Sequence, residues 1–361
     1  MQMPPEPRVF ATTPKEGNLM ETHSDHTPTH PALISSWLET TQLGTPQTHR
    51  HLTLFPLLRG VNGLVYQTMG EAFRAGALQI QEVSSGGSVP DLQAVNTGAL
   101  PVLLLDGEEL RGAKQNRVLN TSILLAAHSK LVVPVSCTES GRWSYSRPDF
   151  EDSRILMSAK SREFKQKRVS LNYEQMGRPV SDQGEVWARI EHETQSLGGS
   201  SRTSAMRDVY EQQAGNMDEY QRAFTVLPGQ CGLLAVLNGK PLGCDLLSRT
   251  EAYASVHTKL VQSYVIDALQ ELPLPKTEDA QATGPAFLAA ARHCTCRSFA
   301  AVGLGADVRM DSAIVSGAAL VVDHTVVHLS LFAGNAATSP SPLESMRSAR
   351  RRAESRPRPQ S

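Results

Sequence analysis

Asp106, Glu108, Glu109, Lys114, Gln115, Asn116, Arg117 and Asn120 all fall within residues 106–120, directly after the apolar run 101–105. These residue types can do chemistry together. A carboxylate can act as a general base, or hold a divalent ion against a phosphate. Lys114 and Arg117 can stabilise developing negative charge. Arginine presents a fork that fits phosphate or carboxylate, and lysine a point charge. Gly107 and Gly112 interrupt the segment, and glycine lets backbone N–H groups come close to an anion. The expected catalytic set is therefore Asp106, Glu108, Glu109 and Lys114, with Gln115, Asn116, Arg117 and Asn120 binding the ligand. A plainer alternative stays open: Asp106-Gly107 is a preferred two-residue hairpin turn, and Glu108 and Glu109 would then be its solvated flank.

Positioning such a site requires a wall. If 116–125 is a strand, Asn116, Asn120 and Ser122 line one face, while Leu119, Ile123 and Leu125 line the other. Arg117 falls with the apolar set unless a bulge turns it. The next strand leads into "VSCTESGRWSY", 135–145, which can bring Cys137, Glu139, Arg142 and Trp143 alongside. Glu139, Arg142 and Trp143 join the expected ligand contacts, since tryptophan stacks on ligand rings and on arginine. Cys137 is a candidate nucleophile only if a cation such as Arg142 lowers its pKa. Four residues separate it from Arg142, one too few for a cysteine-phosphatase loop.

The surrounding pattern mixes short strands with helices. Residues 51–58, 77–83, 92–96, 101–106, 116–127 and 130–137 read as strands, and Pro134 requires an edge or a bulge. Thr68 and Glu71 form a capping box for a helix at 68–76. From Asp152 to about Tyr220 the chain reads as helical and polar, with Asp182 capping a helix over 182–198. Asn238-Gly239 and Asp323-His324 mark hairpins at 233–247 and 317–332, and a helix spans about 251–270. The fold class expected is α+β: short antiparallel strands, meander-like, in the N-terminal half, and helices plus two β-hairpins in the C-terminal half. Residues 31–336 form one domain or two subdomains, 51–150 and 151–336. Residues 1–30 read as a disordered tail and 337–361 as a disordered basic one.

Composition narrows the function classes. The chain has 361 residues, 40% hydrophobic and 20% charged, with net charge −1. No global field recruits nucleic acid or a membrane, and no apolar run is long enough to span a bilayer. Nucleic acid could still be touched locally, by the basic tail or by "KSREFKQKR" at 160–168. Five cysteines at irregular spacing fit a reducing, cytoplasmic setting. His293, Cys294 and Cys296 lack a fourth ligand for structural zinc. There is no Walker loop or complete dinucleotide fingerprint.

The string "LLDGEELRGAKQNRVLN", with "VVPVSCTESGRWSY", "SDQGEVW" and "LPGQCGLLAVLNGKPLGCDLL", resembles the bacterial ARG and rhodanese-phosphatase-superfamily-associated protein domain. The resemblance runs from about His51 to Phe332. It implies a link to ADP-ribose or phosphoryl chemistry through the family's genomic company, and transfers no catalytic residue. Three functions follow: an enzyme on a phosphorylated, ADP-ribose-like or nucleotide-like ligand, with a divalent ion as one option; a non-catalytic sensor of such a ligand; or a protein-interaction scaffold.

Overall fold

A computed structural model describes residues 28–60, 63–84, 90–145, 147, 149–274 and 280–334. The stretches expected as tails lie outside these residues, apart from 28–30. The fold is α+β. Apart from one short parallel pair, Gln67–Thr68 with Val102–Leu104, its strands pair antiparallel.

A nine-stranded sheet runs in the order Gln42–Leu43, Leu52–Leu58, Gln230–Leu237, Lys240–Leu247, Thr325–Ala333, Val315–Val322, Ala306–Asp311 and Thr295–Ala300, with Gln47–His49 also pairing Leu52–Leu58. Its centre is covered on both faces, which explains the unbroken apolar run in Gln230–Leu237. Leu233, Ala235 and Leu237 join one core cluster, and Leu234 and Val236 join another. Both expected hairpins form here. Asn238 and Gly239, and Asp323 and His324, all have positive φ, as a type I′ turn demands. The two hairpins lie side by side through Lys240–Leu247 and Thr325–Ala333.

A six-stranded sheet carries the polar segment. Its order is Phe150–Leu156, Glu108–Gly112, Arg117–Leu119, Ser129–Cys137, Asp91–Asn96 and Leu78–Glu82. A third sheet of three strands, Ile123–Leu125, Val102–Leu104 and Gln67–Thr68, sits beside it. The single strand expected over 116–127 is therefore two strands in different sheets. The break falls at Asn120, Thr121 and Ser122, whose buried side chains bond Ser136, Asp307 and His328. Side-chain partners replace ladder bonds there, so the chain can turn a corner inside the protein.

Two further expectations are corrected. Pro134 lies on neither an edge nor a bulge. Ser129–Cys137 pairs Asp91–Asn96 as far as Pro134 and pairs Arg117–Leu119 from Val135 onward. The proline occupies the changeover between partners, where its missing N–H breaks no ladder. Helical structure also starts later than Asp152: Phe150–Leu156 is a strand that pairs Glu108–Gly112 with a register shift. The helix Ala159–Met176 follows, with the Ser158 side chain accepting from the Ser161 N–H.

The helix Thr250–Leu269 packs against Gln230–Leu237 and Lys240–Leu247 on one side and Phe150–Leu156 on the other. Being enclosed, it buries Lys259 and Asp267 as well as its apolar residues. Buried charges need partners, and these partners shape the candidate site.

Candidate functional site

The segment 103–120 threads through two environments. Between the strands Val102–Leu104 and Glu108–Gly112, Asp106 and Gly107 form a corner joining two sheets, not a solvent-facing hairpin tip. Gly107 has φ +87, and a Cβ there would lie 2.5 Å from Arg162 Cδ. The glycine thus lets the Arg162 stem lie across the corner.

Asp106, Glu108 and Glu109 are all buried, and each carboxylate has a different partner. Asp106 forms an ion pair with Lys165 and accepts a 2.7 Å hydrogen bond from the Gln166 amide. Glu108 pairs with Lys259 and accepts from the Leu105 N–H at 2.7 Å. Lys259 lies a further 3.6 Å from Asp152. Glu109 accepts from the Thr138 hydroxyl at 2.8 Å, and its Oε2 has no hydrogen-bond partner. Burial pushes the Glu109 carboxyl up to about 7, against the pull of the hydrogen bond from Thr138. Asn120 leaves the group: it accepts from Ser136 Oγ at 2.8 Å. Among the described residues, no group of three or more His, Cys, Asp or Glu could hold a metal ion.

The remaining residues assemble at a surface rim. Arg142 ties two loops together: its Nε donates to Glu139 at 2.9 Å, its Nη2 to Asn116 Oδ1 at 3.1 Å, and its Nη1 to the carbonyls of Ala113 and Ser144. The Asn116 N–H donates to Glu139 at 3.3 Å. Behind this clamp Arg117 is fully buried, with Nη1 donating to Gln115 at 3.1 Å and Nη2 lying 3.9 Å from Glu82. Arg117 Nε and Nη2 make no hydrogen bond. Burial lowers the Arg117 pKa, while Cys137 and Glu82 raise it.

Trp143 lies over Arg117, its ring centroid 5.8 Å from the guanidinium. Lys114 Nζ sits 5.3 Å from the rings of both Trp143 and Tyr145. Those rings are 50% and 52% exposed, uncommon for such large apolar surfaces. Lys114, Gln115, Asn116, Arg117, Glu139, Arg142 and Trp143 therefore come together, whereas Asp106, Glu108 and Asn120 take partners in the interior. Glu109 is linked toward the rim through Thr138, whose N–H donates to the Asn116 carbonyl.

Cys137 stands opposite Arg117 in the register of their strands. It is fully buried, and burial pushes its thiol up to about 11, with Arg117 pulling the other way. Such a thiol is inert in the folded state. With iodoacetamide near pH 7.5, the half-buried Cys294 and Cys296 are expected to alkylate before Cys137, which reacts only after denaturation. Peptide mass mapping checks this, and early modification of Cys137 would contradict it.

Sequence reasoning missed the cations that hold the acidic segment. Arg162, Lys165 and Gln166, followed by Val169, occupy one buried face of Ala159–Met176. In 160–168, the stretch offered above as a local nucleic-acid contact, Arg162 and Lys165 are ion-paired to Asp245 and Asp106 inside the protein. Lys160, Lys167 and Arg168 pair with Glu271, Glu163 and Glu185. The available signal was polar residues at i, i+3 and i+4 where a core-facing stripe belongs. Asp245 between Cys244 and Leu246, and Lys259 just before Leu260, carry the same signal. Tyr145 and Glu82 were also missed, and no spacing rule marks them.

Fold and site together define an α+β protein with an interior network of paired charges and an aromatic–cation rim at one sheet end. The model of the ARG and Rhodanese-Phosphatase-superfamily-associated Protein domain matches residues 40–332, and the chain belongs to that family. No curated protein and no solved structure matches it.

Proposed function

We propose that this domain binds a phosphorylated, ADP-ribose-like or nucleotide-like ligand at the rim formed by Lys114, Arg117, Trp143 and Tyr145. One observation carries the reading: Lys114 sits 5.3 Å from two half-exposed aromatic rings, and one of them, Trp143, lies over Arg117, whose Nε and Nη2 make no hydrogen bond. Exposed rings accept a stacked base, a contact worth about 1–3 kcal/mol. Lysine and arginine supply charge-assisted bonds to phosphate. Arg117 is fully buried beneath Trp143, so a phosphate reaches it only if that ring moves aside.

Binding is favoured over chemistry at this rim. Asp106 and Glu108 are neutralised by buried lysines, and Glu109 is sealed behind Thr138. The rim therefore works as a sensor, and the family's link to ADP-ribose or phosphoryl chemistry supports this ligand class. A thermal-shift screen against ADP-ribose, NAD, inorganic phosphate and divalent ions tests it. At a hundred times its Kd, a binder adds roughly 2.7 kcal/mol of stability. Stabilisation by ADP-ribose or NAD that is lost in Lys114→Ala is expected. No stabilisation by any of these compounds would favour the scaffold reading instead.

A further inference from the structure

Three sulfur-bearing side chains share one face at the outer end of the nine-stranded sheet. Thr295–Ala300 is the outermost strand there and pairs antiparallel with Ala306–Asp311. In that register Cys296 stands directly opposite Met310. Opposite residues point to the same face, with Cβ atoms about 4.5–5.5 Å apart. Cys294 lies two residues before Cys296, the spacing that returns a side chain to the same face. The packing agrees: Met310 belongs to the core cluster on one side of the sheet, and both cysteines pack against that cluster.

The neighbouring residues confirm the alternation. Arg297 pairs with Glu174 and Phe299 stacks on Tyr173, both on the helix Ala159–Met176, which covers the other face. Ser298 returns to the cysteine face and bonds His30 at 3.0 Å. His30 begins the helix His30–Thr40, whose Ile34 and Trp37 belong to the same core cluster as Met310.

Neither thiol is held by a strong partner. Cys296 Sγ lies 3.6 Å from the Cys294 carbonyl oxygen, and Cys294 Sγ lies 3.9 Å from the Val315 carbonyl oxygen; a thiol is a weak donor. Both cysteines are half-buried, whereas Cys137, Cys231 and Cys244 are buried. An ion arriving from solvent therefore meets Cys294 and Cys296 first. Met310 is 3% exposed and lies deeper, with the cysteines at the entrance. Burial raises both thiols, and Cys294 adds to the rise at Cys296, so both carry their protons near neutral pH.

We propose that Cys294, Cys296 and Met310 bind one copper(I) ion, at a site separate from the aromatic rim. Thiolate and thioether sulfurs are soft ligands that select copper(I). A structural zinc site needs four ligands, whereas copper(I) accepts the lower coordination that these sulfurs offer. Each thiol passes its proton to the buffer as its sulfur bonds the metal. The copper keeps its oxidation state, so no oxidant or reductant is consumed.

The test is a competition for copper(I) between the full chain, reduced and then freed of reductant without air, and the chelator bathocuproine disulfonate, whose colour reports the copper it keeps. The wild-type protein should withdraw one equivalent. The variant carrying both Cys294→Ser and Cys296→Ser, shown to be folded by circular dichroism, should withdraw none. Met310→Leu keeps the apolar volume and should bind at least about tenfold more weakly, since even residues that only support a metal ligand cost that much. A chelator that keeps all its copper beside the wild-type protein overturns the proposal, with no variant needed. One equivalent withdrawn by the folded double-serine variant overturns it too, because the copper would then sit on other groups. Met310→Leu with wild-type affinity would remove the thioether from the site and overturn the three-sulfur assignment.

Discussion

Replacing Arg162 with methionine will lower the stability of this protein by about 3–5 kcal/mol, the typical cost of removing one partner of a buried ion pair. Arg162 and Asp245 have no exposed side-chain surface and are joined by two parallel bonds. The loss comes mainly from what remains. Asp245 would keep the Tyr264 hydroxyl and the distant His328 ring but no full positive charge. Arg162 also packs over Gly107 and against the rings of Tyr264 and Phe332, at 5.6 and 5.0 Å. Methionine restores part of that packing and none of the charge. Replacing both residues, Arg162→Met with Asp245→Leu, should recover much of the loss, because a well-packed apolar pair is often as stable as a buried ion pair. Urea unfolding of the three variants measures this. A single variant within about 1 kcal/mol of wild type would contradict the account, as that is the range of exposed pairs.

The second large effect is on pH. Glu109 and Asp267 are fully buried, and burial pushes each carboxyl up to about 7. For Asp267 the nearby Glu193 adds to the rise, while Lys160 offsets it. An unfolded chain titrates these groups near 4. Between about pH 4 and 7 the native state therefore holds protons that the unfolded state has released. Stability from these groups is fully present below the unfolded pKa and is lost as pH rises through 7. The slope is about −1.4 kcal/mol per pH unit for each group in that window. Burial raises Glu108 and Glu193 as well, which acts in the same sense. Asp245 acts oppositely, but only at acid pH below its unfolded value. Unfolding free energies at pH 5, 6, 7 and 8 should fall along the series, and Glu109→Gln should remove one group's share of the slope. A stability that rises from pH 5 to 7, or a slope unchanged by Glu109→Gln, would contradict the assignment.

Much of the fold was legible because its signals are local. The capping box at Thr68 and Glu71 forms as read, and Asp182 caps its helix by accepting from Glu185. The two hairpin turns adopt the conformations that their residue types favour. What sequence could not supply was the change of sheet. Asn120, Thr121 and Ser122 look like a polar interruption on a strand, and only their distant partners Ser136, Asp307 and His328 make them an interior corner.

The candidate site divides along the same line. Lys114 through Arg117 and Glu139 through Trp143 meet because adjacent antiparallel strands bring their ends together, which register alone suggests. The cations that take Asp106 and Glu108, Lys165 and Lys259, lie 59 and 151 residues away on helices that looked solvated or simply apolar. A buried lysine on a helix has no local signature; its sign is a charged residue where the periodicity calls for an apolar one.

The central claim is that a negatively charged, base-bearing ligand docks on the rim over Arg117. The most direct measurement is tryptophan emission during titration with ADP-ribose, with Trp143→Phe identifying the contribution of Trp143 among the three tryptophans. Saturable quenching is expected, absent in Trp143→Phe and shifted to much higher ligand concentration in Lys114→Ala. Calorimetrically confirmed binding that leaves the Trp143 emission untouched would place the ligand elsewhere and contradict the account.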